Sequence, residues 1–512
     1  MTLWDIFFAF VWIGLLVIAG RYIHQRVRYF QYLHIPESVI AGSMALLLGP
    51  EIFGRIAVDL VSWFDASTSL SHSSHKLLAD CWLSGGIFSE GVLTVWKNTP
   101  SVFINFIFAS LLLGEHIPDL KSIWQKAAPQ IVFGQVLAWG QYVVGLGVAL
   151  LILVPVFQTN PMAGILIEIS FEGGHAASGA MAQTMANLGF PEGGDLALGM
   201  STVGIISGVV IGVPLAHWAQ QRGIIQPFQP DLLDDSDGES KTSAVSDRAI
   251  SSPAGSSATS TSTMDSMAPD STTEERRSEL MRDLQLDPIT LNFGWVAIAI
   301  SLGWLILKAL QQLEAATWGK SGFECIAYVP LFPMTLMGGL ILQLVLQQLA
   351  LEALVIKSLI EHISGFVLDV MIVAAIASIS FTSIGQNLPT FIGLSIAGIL
   401  WNLAALLLVA PRLFPQFWFE RGIGDFGQST GVTATGLLLL RLVDPHNRSG
   451  ALEAFAYKQL LFTPIVGGGL FSAVAPALVM QIGAWSMFLL TLLLLVCWLI
   501  VGVFVSPFIE LR

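Results

Sequence analysis

The sequence predicts an all-α polytopic membrane protein: two inverted five-span repeats, each carrying a re-entrant hairpin, followed by one extra C-terminal span. Three observations predict this class. Charged residues make up 12% of the 512-residue chain and hydrophobic residues 54%, with a mean hydropathy of +0.72, whereas ordinary soluble domains carry roughly 25% charge. Apolar stretches close to the ~20 residues that cross hydrocarbon recur along the chain. Two Gly-rich, polar stretches interrupt them at matching places in the two halves.

The first repeat takes in 1–220. Its opening apolar run, 3–20, is followed rather than preceded by basic residues, Arg21, Arg26 and Arg28, and no small-residue cleavage site comes after it. It therefore reads as a retained span and not a cleavable signal. Spans at 36–53, 98–114, 129–157 and 195–216 complete this half. An insertion at 51–97 separates the second span from the third and reads as an extracytoplasmic cap. His72 and His75 within it lack a further ligand at metal-binding spacing.

Residues 161–188 include EISFEGGHAASGAMAQT, apolar enough to enter a bilayer but too broken by Gly and polar groups for a lipid-facing helix. Irregular backbone at that depth survives where protein or a water-filled cavity satisfies it, so the stretch reads as a re-entrant hairpin. The second repeat, 289–483, has spans at 290–312, 326–350, 364–381, 388–410 and 451–480. Its hairpin at 422–441 carries GIGDFGQSTGVTATG. The extra transmembrane helix falls in 484–512.

Between the halves, 221–288 hold thirteen acidic against six basic residues, more than half of the chain's net charge of −13. A Ser/Thr/Asp/Pro-rich composition there predicts a disordered cytoplasmic linker. No basic stripe exists to neutralise phosphates, which argues against nucleic-acid binding. The three cysteines, Cys81, Cys325 and Cys497, are scattered and odd in number, so no disulfide framework follows.

Each hairpin precedes the fifth span of its half. Gly174-His175 aligns with Gly427-Gln428, and Pro191 with Pro445; Pro36 through Gly42 shares its Pro and Gly spacing with Pro333 through Gly339. These correspondences predict an internal repeat. With Arg21, Arg26 and Arg28 cytoplasmic, the N-terminus is outside and five spans per half invert the second half. The short segments assigned to the cytoplasmic side then hold eleven Lys and Arg, among them Lys126, Arg421, Arg441 and Lys458, against five outside.

Taken together, Ile35-Pro36-Glu37 at the start of the second span, Gly173-Gly174-His175 in the first hairpin and the Gly-rich run 422–436 in the second resemble the bacterial sodium/glutamate symporters. The resemblance covers about 3–216 and 290–480. It implies Na⁺-coupled uptake of L-glutamate across the bacterial plasma (inner) membrane by a homodimer, with Na⁺ as the coupling ion and no other cofactor or metal. The chain departs from the family where Ala176-Ala177 follows the GGH and where Gly427-Gln428-Ser429-Thr430-Gly431 stands in the second hairpin, and these departures bear on the cargo.

Carrying a dicarboxylate amino acid needs donors for two carboxylates, an acceptor for an ammonium, and a cation site. Half-helix N-termini at a hairpin turn favour anions, and unwound carbonyls favour Na⁺. His175, Ser178, Gln428, Ser429, Thr430 and Thr433 are the substrate-binding candidates. Gly173, Gly174, Ser170, Gly427, Gly431 and Asp425 are the candidates for the sodium site or for close backbone approach. His175 is the sharpest, since an ionisable group at bilayer depth is costly. Glu172 and Asp425 are placed at the hairpin mouths. Glu168 and Asp369 sit deeper, each needing a partner, and no arginine falls deep in a span; Arg421 and Arg441 read as snorkelling to the cytoplasmic face.

Two rival functions remain open from sequence. A Na⁺- or H⁺-coupled carrier of another carboxylate would keep the fold. An intramembrane aspartyl protease would use the Gly-x-Gly-Asp run at Gly422 to Asp425 with Asp369 as the second carboxylate, but leaves the repeat unexplained; the chain otherwise reads as a transporter and not an enzyme.

Overall fold

The computed structural model describes residues 2–28, 30, 35–60, 86–115, 120–225, 287–349, 351–445 and 447–505. Most of the linker and the middle of the insertion, with His72, His75 and Cys81, lie outside them. Among the described residues every regular element is a helix.

Helix α1 (Leu3–Arg26) starts in a capping box, in which the Thr2 hydroxyl accepts from the Asp5 N–H and Asp5 accepts from the Thr2 N–H. Helices α2 (Glu37–Leu48) and α3 (Glu90–Ser110) follow; α2 begins immediately after Pro36. Helix α4 (Leu120–Val148) runs on through a π-turn at Ala149–Leu153 to Phe157. Next come the short α5 (Leu166–Phe171) and α6 (Gly174–Asn187), a helical hairpin, then α7 (Gly193–Gln221).

Beyond the linker lie α8 (Pro288–Ala316), α9 (Phe332–Gln348), α10 (Lys357–Ala377) and α11 (Leu388–Ala404). A second hairpin is formed by α12 (Trp418–Thr430) and α13 (Thr433–Val443). It starts four residues before the predicted 422–441 and ends two after, because Gly at a helical position lowers propensity without stopping the helix. Helices α14 (Ala451–Phe462), α15 (Leu470–Ile482) and α16 (Ala484–Val505) close the chain.

Among the described residues, eight helices are long and apolar enough to cross a membrane, consistent with a multi-pass membrane protein. Other predicted spans fall short of that measure for visible reasons. Helix α9 has only 17 residues, and α3 carries Lys97 and Asn98. The predicted span 451–480 is two helices rather than one. Pro464 removes a backbone donor, and Gly467 and Gly468 adopt φ of +71° and +89°, which breaks the helix at 463–469.

A device that periodicity does not reveal occurs twice. Helix α4 widens at Ala149–Leu153 ahead of Pro155, and α11 is followed by a π-turn at Ala405–Val409 ahead of Pro411. Proline cannot donate and its ring crowds the preceding turn, so the helix loosens there. Each segment then reaches a non-Gly residue in the left-handed region, Gln158 or Phe417, both at φ +53°, and the chain turns into its hairpin.

Packing divides into two regions. In one, α1 lies on α2 and α8 on α9; α2 then packs on α10, α9 on α3, and α3 on α10. Trp96 is buried there and donates from Nε1 to the Ala9 carbonyl at 3.1 Å. In the other, α4 packs against α11, α14 and α16, and α7 against both hairpins. Apolar side chains such as Phe7, Leu15 and Ile18 of α1 and Leu489, Leu493 and Val503 of α16 are exposed, a surface suited to hydrocarbon rather than water.

Candidate functional site

The two hairpins meet at their tips. Gly174 has φ +62°, and a Cβ there would lie 2.6 Å from Val432 Cγ1 in the turn of the other hairpin. Helices α5 and α12 end at this place and α6 and α13 begin, so two helix C-termini and two N-termini converge. The break in the chain before α15 joins them, since a Cβ on Gly468 would stand 3.9 Å from the Gly173 Cα. Helix α7 approaches through Gly208, whose Cβ would meet Thr430 Oγ1 at 2.9 Å. Small residues are needed here because neighbouring side chains leave no room for a Cβ at Gly174 or Gly208.

Buried carboxylates surround the tips. Glu168 accepts from the Tyr142 hydroxyl at 2.6 Å, the Ser472 hydroxyl at 2.6 Å and the Gly467 N–H at 2.7 Å. It thus ties the first hairpin to α4 and to the α14–α15 break. Glu172 accepts from the Ser429 hydroxyl of the second hairpin. Its other oxygen, Oε2, is buried without a hydrogen-bond partner among the described residues, and a buried acceptor left so is costly unless a ligand completes it.

Asp425, a cation-site candidate expected at a hairpin mouth, is fully buried in α12, and Glu172 is 6% exposed. Lys458 Nζ donates to Asp425 Oδ1 at 2.8 Å and to Gln428 Oε1 at 2.7 Å, and Gln130 Nε2 donates to Asp425 Oδ2 at 2.8 Å. Lys458 is likewise wholly buried. Counting it among the cytoplasmic segment's cations was therefore wrong: α14 carries its side chain inward, onto α12. An ionisable residue inside a predicted span was the available signal.

The other candidate residues sort as follows. His175 is buried in the first turn of α6 with Nε2 3.0 Å from Thr202 Oγ1 on α7. Ser178 shares a 2.9 Å hydroxyl contact with Ser201, which also donates to the Ser170 carbonyl at 3.0 Å. Ser170 and Thr430 turn their hydroxyls back onto their own helices, to Leu166 O at 2.5 Å and Phe426 O at 2.7 Å. Gln428 has both amide atoms engaged, exchanging bonds with Gln459 as well as accepting from Lys458. Thr433 is half-buried at the start of α13. Gly427 packs on Gly436 across the hairpin, and Gly431 ends α12.

Three polar residues that sequence reading did not single out complete the site. Gln141 of α4 donates to the Ser429 carbonyl at 2.7 Å and to Asn402 Oδ1 at 3.0 Å, and Asn402 of α11 donates to the same carbonyl at 2.6 Å. Tyr142 is the third. Each lies inside an apolar span, where an amide or phenol needs a partner. Arg421, partly buried, donates to the Ser449 carbonyl at 3.0 Å. Asp369 lies in the field of Glu37, whereas the partners of Asp425 are Lys458 and Gln130; this is not a shared-proton aspartate pair.

Residues 94–252 match the family model described as sodium/glutamate symporter. No curated protein matches the chain. The matched residues include the first hairpin with Gly173, Gly174 and His175 and stop short of the second. The resemblance to the sodium/glutamate symporters therefore holds across residues 94–252, and with it the reading of the chain as a Na⁺-coupled transporter rather than an enzyme.

Proposed function

We propose that the chain is a Na⁺-coupled glutamate symporter of two inverted repeats, whose hairpins re-enter the bilayer from opposite faces and carry the transport site at their meeting tips. One observation carries this reading: Gly174 abuts Val432 while Glu172 spans the same junction to Ser429 and keeps one buried oxygen unpartnered among the described residues. The repeated π-turn, proline and left-handed residue ahead of each hairpin support the duplication.

In this reading Glu172 Oε2 and unwound carbonyls of the tips hold Na⁺, and the first-turn N–H groups of α6 and α13 face substrate carboxylate, as helix N-termini favour anions. Ser178, Thr433 and His175 line the anion side. Asp425 and Gln428 support the site through Lys458 rather than touching substrate. Na⁺ stabilises the arrangement that binds substrate well, and the gradient drives release inside. The α1, α2, α3, α8, α9 and α10 bundle is the scaffold, and the protein works as a homodimer in the bacterial inner membrane with the linker cytoplasmic and the N-terminus outside.

Ala176-Ala177 after His175, and Gln428 turned away to Lys458, favour one second reading, a carrier of another carboxylate on the same fold. Uptake of labelled glutamate into proteoliposomes under an inward Na⁺ gradient, with a K⁺ control and dicarboxylates as competitors, tests both. Na⁺-dependent accumulation displaced by glutamate alone is expected. Accumulation displaced by another carboxylate would move the cargo, and none under either Na⁺ or H⁺ gradients would remove the function.

A further inference from the structure

The ammonium of Lys458 sits in surroundings that have the chemistry of a cation site. It has a carboxylate oxygen of Asp425 at 2.8 Å, an amide oxygen of Gln428 at 2.7 Å, and the ring centroids of Phe462 and Phe455 at 4.4 and 4.9 Å. A carboxylate oxygen, an amide oxygen and aromatic faces attract a monovalent cation as they attract an ammonium. Asp425 is further fixed by Gln130, and Gln428 by Gln459 at 2.6 Å, so the donors stand aimed at one point. Lys458 is fully buried, and its helix α14 runs into the break that packs on the Gly173 tip.

We infer that Lys458 is a resident cation, tethered to the chain, filling a cation site made by Asp425 and Gln428, so that the second hairpin crosses the membrane charge-compensated without taking up Na⁺. This rests on the reading of the chain as a Na⁺-coupled transporter. Removing the ammonium while keeping Asp425 opens the site to Na⁺. Removing both charges closes it again. A pair serving merely to hold α12 and α14 together predicts no such cation dependence.

The test uses the full-length wild type, Lys458→Gln and the double variant Asp425→Asn/Lys458→Gln, each purified in NaCl and in choline chloride. Thermal unfolding is followed across Na⁺ concentration. Lys458→Gln should gain a Na⁺-specific stabilisation larger than that of wild type and of the double variant, both of which keep only the response of the coupling ion at the tips. Where it transports, its reversal potential should report one additional Na⁺ per substrate. Equal Na⁺ responses in all three proteins would overturn the inference, as would a Lys458→Gln that unfolds alike in Na⁺ and choline. The unfolding readout stands apart from uptake. A wild type that carries no substrate on a Na⁺ gradient removes the transport reading, while Na⁺ binding to Lys458→Gln still decides whether Lys458 fills a cation site.

Discussion

The two hairpins have the same build and bury different electrostatics. The first carries two buried glutamates held by neutral donors: Tyr142, Ser472 and the Gly467 N–H for Glu168, and Ser429 for Glu172. The second carries one aspartate whose counter-charge is supplied by the chain itself, through Lys458. The two share a path of the backbone, with its proline-loosened helix and left-handed entry, while the charges filling the two tips differ. The hairpin without a cation of its own is the one positioned to recruit one.

Breaking the second hairpin's pair should have the largest effect on the fold. Asp425→Ala leaves a buried ammonium without its carboxylate, a loss of about 3–5 kcal/mol for a pair so placed. Thermal unfolding of the detergent-solubilised protein should show it, and Na⁺ should not rescue it, because the anion is gone. A change within measurement error would mean that Gln428 and the Phe rings suffice.

Next comes the junction itself. Gly174→Ala asks a β-carbon to sit in the left-handed region and 2.6 Å from Val432 Cγ1, for roughly 1–2 kcal/mol from the backbone alone. Uptake should fall much further than stability, since in the proposed cycle the tips part and close on substrate. Equal uptake by the variant would show that the tips do not need to meet.

A smaller effect is expected from Glu172→Gln. The amide oxygen can still accept from Ser429, so the fold should hold, while the cation side loses its charge. A tenfold weaker apparent Na⁺ affinity, about 1.4 kcal/mol, with little change in the unfolding temperature is the outcome anticipated. Na⁺ titration of uptake gives the first quantity and unfolding the second. Unchanged Na⁺ dependence would move the ion away from Glu172.

Much of this frame could be read from the residues alone. The hairpins stood out because glycine and hydroxyl residues interrupt otherwise apolar runs, and hydrocarbon tolerates such interruptions in few ways. The site's polar interior did not. Lys458 was assigned by the side of the membrane its segment was expected to face, although it lies within the span predicted at 451–480; which way it turns depends on Asp425, thirty-three residues away. Gln130, Gln141 and Tyr142 on α4 and Asn402 on α11 are scattered among apolar neighbours without a regular spacing, and such residues carry no periodicity. The break at 463–469 was visible as a proline and a glycine cluster, yet apolar neighbours on both sides concealed it as one span.

Outside the membrane-spanning helices the comparison can be sharpened with pH. Asp444, just after α13, accepts from the Ser449 hydroxyl at 2.5 Å, the Ser449 N–H at 2.9 Å and the Arg448 N–H at 2.9 Å, and so sets the turn from the second hairpin into α14. Burial pushes its pKa up, but the Ser449 bonds, the Arg448 N–H and the nearby Arg448 charge outweigh this and hold it below the ordinary aspartate value. A carboxylate with a depressed folded pKa contributes stability that is fully present above its unfolded value, near ~3.9, and is lost as pH falls through the lower folded one. Asp444→Asn should therefore cost on the order of 1 kcal/mol at neutral pH, and the gap to wild type should narrow below about pH 4, where the wild-type group is protonated in the unfolded chain and then in the folded one. Unfolding temperatures of both proteins from pH 7 down to about pH 3 measure this. A gap that stays constant across that range would mean that Asp444 acts through its shape as an acceptor and not through its charge, leaving Lys458 to hold the second hairpin's exit without electrostatic help from the turn.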